Sequence, residues 1–154
     1  MTIQRKTIEE TALWACRMVL AAVFIFAAVP KILNPHIFAL QVFRYQVLPY
    51  DFVNVVAVFL PWLELFCGIA LLFVRQLRDG ATFLVFGMLI FFTVATAANI
   101  FRGIDISCGC FSADPNVSRI GWKKVAENSA MAVMAAYCLW YGYRASSRAA
   151  PDAA

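Results

Sequence analysis

The sequence predicts an all-α protein, a polytopic bundle of four transmembrane helices forming one membrane domain over residues 1–154. Three observations carry this expectation. Of the 154 residues, 63% are hydrophobic and only 14% are charged, too little polar surface for a soluble domain of this size. Mean hydropathy is +0.76. The apolar residues also gather into four runs, each close to the ~20 residues that cross a bilayer. The net charge of +4 is small and scattered, which argues against nucleic acid and suits headgroup contact and topology signals.

The first run covers residues 12–29 and stops at Pro30-Lys31. Arg5 and Lys6 would suit a signal peptide, but "FIFAAVPK" offers no small-x-small cleavage site, so a retained helix is expected. Residues 36–50 are too polar to span and too apolar for a free loop. They read as an amphipathic helix in the interface, ended before Pro49. The second run covers 52–74, and "RQLRDG" makes a tight turn into the third, 81–101. A turn-rich loop, 102–124, leads to the fourth run, 125–143, and the small polar tail 145–154 is expected to be disordered.

Four crossings place both termini on one side and the loops after the first and third helices on the other. The 13 lysines and arginines divide almost evenly between the two sides, so the positive-inside rule carries little weight. The arginine-rich turn after the second helix favours cytoplasmic termini. The 102–124 loop is then periplasmic, in a bacterial inner membrane.

That loop contains "DISCGCFS", with Cys108 and Cys110 one glycine apart. Residues two apart reach disulfide distance only if the backbone bends, and Gly109 permits the bend. Such a small ring is strained, and strained, exposed disulfides exchange readily. Four basic residues against two acidic ones between Arg102 and Lys124 mildly favour thiolate. The pair therefore suits thiol–disulfide exchange. Three other readings stay open: a staple, though CxC closes almost no loop; a soft-metal site, with His36 as a third ligand; and idle thiols. Cys16, Cys67 and Cys138 fall in the opposite half of the membrane and read as packing cysteines.

Ionisable groups inside spans are costly and face the bundle interior. Pro61, Glu64 and Gly68 recur at helical spacing on one face of the second helix. Lys31, Asn99, Glu127 and Asn128 all fall towards the CGC side. Lys31, Glu64, Asn99 and Asn128 are thus candidates for a quinone headgroup site or a proton path beneath the loop. A hydrogen-bond network that only holds the helices together is the competing reading.

The chain resembles the MauE/DoxX-type redox-associated membrane proteins over about 17–143. The resemblance rests on Arg17, on Val29-Pro30-Lys31 followed by "NPHIF", on "LPWLELFCGIALL", on "NIFRGIDISCGCF" and on Asn128. It departs at Ser112, where the family pattern has glycine, and at Glu127, where it is often basic. The resemblance implies a bundle broadly like DsbB and the vitamin K epoxide reductases. It also implies a thioredoxin-like periplasmic partner of the MauD type, and support for maturation of a disulfide-rich enzyme such as methylamine dehydrogenase. The DoxX branch implies thiosulfate:quinone oxidoreduction instead. A non-catalytic membrane anchor or assembly subunit, with CGC as a docking or metal-holding loop, is the alternative of another class. A transporter is disfavoured, because no paired broken helices are evident.

Overall fold

The computed structural model describes residues 2–103 and 121–149. Within them every regular element is a helix: α1 (Thr2–Leu33), α2 (Pro35–Arg44), α3 (Tyr50–Phe73), a 3-10 turn (Arg75–Leu77), α4 (Arg78–Phe101) and α5 (Trp122–Ala149). Cys108 and Cys110 lie outside the described residues.

α1 carries Pro30 inside it and continues to Leu33, one turn past the expected stop. A proline this close to the C-terminus forfeits one helical hydrogen bond without ending the helix. The real stop is Asn34, held at φ −130° and ψ 65°, since the residue before a proline avoids helical angles. Pro35 then opens α2 at a position where its missing N–H costs nothing. α2 forms within the expected interfacial segment but ends at Arg44, because Gln46 takes a left-handed φ of 49°. The turn into α4 is tied by Arg78, whose Nη2 donates to the Leu72 carbonyl at 3.2 Å. α4 ends at Phe101, and Gly103 just beyond its cap takes the left-handed φ of +67° that glycine accepts after a helix.

Contacts between distant residues fix the helix directions. Arg78 stacks on Trp14, while Lys31 sits over Phe92, so α4 runs parallel to α1. Lys31 meets Glu64 and Ile25 meets Gly68, so α3 runs opposite to α1. Phe101 packs on Trp122, and Asp79 lies against Gly142, so α5 runs opposite to α4. The core is small and apolar, built on Leu20, Ala21, Leu71, Val85 and Ala135. Phe26, Phe59, Phe73 and Phe83 instead point outwards. Such a surface suits hydrocarbon rather than water.

Three helical stretches are long and apolar enough to cross a membrane: Glu9–Leu33, Tyr50–Phe73 and Arg75–Phe101. The expected fourth crossing, 125–143, lies within α5. α5 is long enough at 28 residues but is not among the described helices apolar enough to span. Glu127, Asn128 and Ser129 near its start, and Tyr137, Tyr141 and Tyr143 further along, dilute it. α5 packs against α4 and α1, so protein rather than lipid covers its inner face. α5 also runs on to Ala149, making helix of residues 145–149 that composition assigns to a disordered tail.

Candidate functional site

The site grows from the inward face of α3. Pro61, Glu64 and Gly68 are all buried there, as their spacing predicts. α3 comes close to α1 at Gly68: a side-chain carbon at this position would lie 2.7 Å from Ile25 Cγ1 and 3.2 Å from the Ala21 carbonyl oxygen. Small residues let helices come this near. One turn along α3 from that contact, Glu64 meets Lys31 from the last turn of α1.

Lys31 Nζ donates to both Glu64 oxygens at 2.7 Å, with the two side chains only 5% and 2% exposed. The ammonium also sits 5.1 Å from the Phe38 ring centroid and 5.7 Å from that of Phe92. A carboxylate and two aromatic faces therefore enclose one cation. An opposite charge and ring quadrupoles are the partners that make a buried ammonium tolerable.

Two cavities share Lys31 as a wall. The inner one, about 30 Å³, is lined by Lys31, Glu64, Asn128, Phe24, Leu89 and Phe92 among others. That is room for a water or two. The outer one, about 60 Å³, lies beneath α2 and is lined by Lys31, Phe38, Gln41, Leu60, Phe92 and Ala95 among others. Its walls are apolar apart from Lys31, Gln41 and Tyr45.

The structure thus brings together Lys31, Glu64 and Asn128. Asn99 lines neither cavity. It stands one turn beyond Ala95 on α4, fully buried, with no hydrogen-bond partner for either Nδ2 or Oδ1. Buried amides are nearly always paired, so an orphan of this kind calls for an explanation. Glu127 does not join the cluster. It is exposed and pairs with Lys124 at 2.9 Å. The rings of Phe101 and Trp122 pack with centroids 5.7 Å apart. The described residues flanking the CGC segment are therefore neighbours, at the Lys31 end of the bundle. Cys16, Cys67 and Cys138 are free, and all belong to or pack on the apolar core, as expected of packing cysteines.

Gln41 is a site residue that sequence reasoning missed. It is buried with Phe38 on the face of α2 that meets the bundle. The signal was available, because Phe38, Gln41, Val42 and Tyr45 recur at helical spacing. A polar residue inside that stripe marks a wall that is not purely packing.

Chemically, the arrangement offers a fixed cation and its counter-charge, with the Gln41 amide on the apolar chamber and the Asn128 amide on the inner cavity. Such donors suit a carbonyl oxygen or a short run of water. The family model for the methylamine utilisation protein MauE matches residues 9–141. The methylamine utilization protein MauE of Methylophilus methylotrophus is 37% identical over 84% of this chain and 68% of its own length. That of Paracoccus denitrificans is 33% identical over 83% and 68%. That of Paracoccus versutus is 35% identical over 79% and 65%. No solved structure matches.

Proposed function

The chain belongs to the MauE family, and from that premise we propose that it is a membrane thiol–disulfide redox protein serving methylamine utilisation. Cys108 and Cys110 are the exchanging pair. Their partner is a thioredoxin-like periplasmic protein of the MauD type, and the client is a disulfide-rich enzyme such as methylamine dehydrogenase. In this reading α5 makes a fourth crossing of the bacterial inner membrane, its inner face and the buried Asn128 covered by protein, and the CGC loop is periplasmic.

One observation supports the reading most: a buried Lys31–Glu64 pair and an unpartnered Asn99 at the end of the bundle where the CGC segment leaves and returns. Forming the Cys108–Cys110 bond releases two electrons and two protons. A quinone, when bound, supplies the sink for both. The donor set fits such a group's carbonyls, because a cation and amides suit them, and the apolar outer chamber of about 60 Å³ must widen to admit a ring. The inner cavity is too small for a ring and suits water.

The roles divide accordingly. Lys31 and Gln41 orient a carbonyl in the outer chamber. Asn99 adds an amide on the loop side. Glu64 holds Lys31 in place, and with Asn128 it borders the water-sized cavity through which a proton can pass. Exchange with the partner proceeds through a mixed disulfide, so that one disulfide is consumed for each one made.

The test is the redox state of Cys108 and Cys110 in native membranes. Thiols are trapped in acid, alkylated with a mass tag, and compared with Cys108→Ser and Cys110→Ser. The reading expects a disulfide that, once reduced, reforms only when quinone is present. Thiols that stay reduced, or stay oxidised whatever the quinone pool does, would overturn it and favour an anchor or assembly subunit.

A further inference from the structure

The opposite end of the bundle holds a second unexplained group of charges. Arg17 lies inside the candidate span Glu9–Leu33, and only 8% of it is exposed. Its Nε has no hydrogen-bond partner, and no carboxylate among the described residues pairs with it. A buried guanidinium nitrogen without an acceptor is a costly arrangement in a membrane helix.

Arg78 stands beside it. Its guanidinium carbon is 4.6 Å from the centroid of Trp14, and Trp14 lies one turn from Arg17 on the same face of α1. Nη2 of Arg78 donates to the Leu72 carbonyl at 3.2 Å, while its Nε is buried without a partner. Among the described residues, Arg78 feels the positive charges of Arg17 and Arg75, opposed by Asp79. The Asp79 carboxylate is turned towards the α5 backbone, with Oδ1 2.9 Å from where a side chain at Gly142 would begin. The two guanidinium groups therefore share an excess of positive charge, and each has a buried Nε without a partner.

We propose that Arg17 and Arg78 form a binding site for the phosphate of an anionic phospholipid. The guanidinium fork matches phosphate oxygens in pairs. Arg78 opens α4 near the start of the span Arg75–Phe101, which is headgroup depth, and Arg17 sits about one turn, ~4.5 Å, deeper. Trp14 and Met18 flank Arg17 and are exposed, giving acyl chains an apolar wall. A lipid satisfies both requirements, whereas free phosphate meets only the first. The site is independent of the redox reading, since it lies at the end of the bundle away from Lys31 and Glu64.

The experiment is lipid retention by the purified full-length protein, read by native mass spectrometry after stepwise delipidation. Phosphatidylglycerol, phosphatidylcholine and inorganic phosphate serve as probes. Wild type is expected to retain phosphatidylglycerol at least tenfold better than phosphatidylcholine, with inorganic phosphate failing to displace it. Arg17→Gln and Arg78→Gln should abolish the preference, Arg17→Lys should restore part of it, and Arg75→Gln, at an exposed position, should leave it intact. Arg78 is only half-buried, so its variant keeps the test usable if Arg17→Gln does not fold. Equal retention of the two lipids by wild type, or an unchanged preference in Arg78→Gln, overturns the site. Protection by inorganic phosphate alone equal to that by lipid overturns its assignment to a lipid.

Discussion

Removing one partner of the Lys31–Glu64 pair should damage the protein far more than removing both. At 2.7 Å, two unit charges attract by about 6 kcal/mol at an effective dielectric of 20. The desolvation of both ions, several kcal/mol each, cancels most of that gain. The pair as a whole is thus close to neutral for stability, but each ion depends on the other. Glu64→Leu leaves a buried ammonium with only Phe38 and Phe92 for company, and it should cost about 3–5 kcal/mol. Lys31→Met leaves a buried carboxylate and should cost a similar amount. The double variant should lie within ~2 kcal/mol of wild type, because the apolar replacements fill comparable space. The assay is reversible unfolding in mixed detergent micelles, arranged as a double-mutant cycle. Single variants within ~1 kcal/mol of wild type, or a double variant equal to the sum of the singles, would refute the reasoning: the charges would then be reached by water.

Other outcomes follow from the same geometry. Gly68→Ala should cost ~1–3 kcal/mol, because its new carbon meets Ile25 Cγ1 at 2.7 Å and the Ala21 carbonyl at 3.2 Å. Adding Ile25→Ala should recover only part of this, as thermal denaturation of the three variants will reveal. Asn99→Leu removes two unpaired buried polar groups, so stability should hold or rise by up to ~1 kcal/mol. Quinone-dependent reoxidation of the CGC pair should nevertheless slow, and a variant that loses stability instead marks Asn99 as a structural amide. Cys67→Ser should leave the mass-tag pattern of Cys108 and Cys110 unchanged, whereas Cys108→Ser or Cys110→Ser should remove the quinone-responsive band. A quinone response altered by Cys67→Ser would mean that the buried thiol takes part in exchange.

Much of the architecture was legible in the sequence because hydropathy and helical period are local properties. The three apolar spans overlap the first three expected runs, the third opening at Arg75 rather than at residue 81. The inward turn of Pro61, Glu64 and Gly68 follows from a spacing of three and four residues alone. Departures arise where neighbours decide. Pro30 did not end α1, because only the last turn lay beyond it and the restriction imposed by Pro35 on Asn34 supplied the stop. α5 continued past Tyr143 although its composition had turned polar, and its modest apolarity leaves it short of a span on its own terms.

The class of protein can thus be read from the chain alone: helices, apolar surfaces, MauE-type motifs, and a short list of polar residues that must face inwards. How those residues are grouped is set by the packing of the helices. Lys31 and Glu64 are 33 positions apart, and nothing local says that the ammonium, rather than water or an amide, meets the carboxylate. The close approach of α1 to α3 at Gly68 makes that choice. The same packing leaves Asn99 without a partner, encloses Gln41 beneath α2, turns Glu127 away to Lys124, and seals Arg17 beside Arg78. Burial and pairing of a polar group depend on what the neighbouring helix presents at that depth, and that is a property of helix packing rather than of any one stretch of chain.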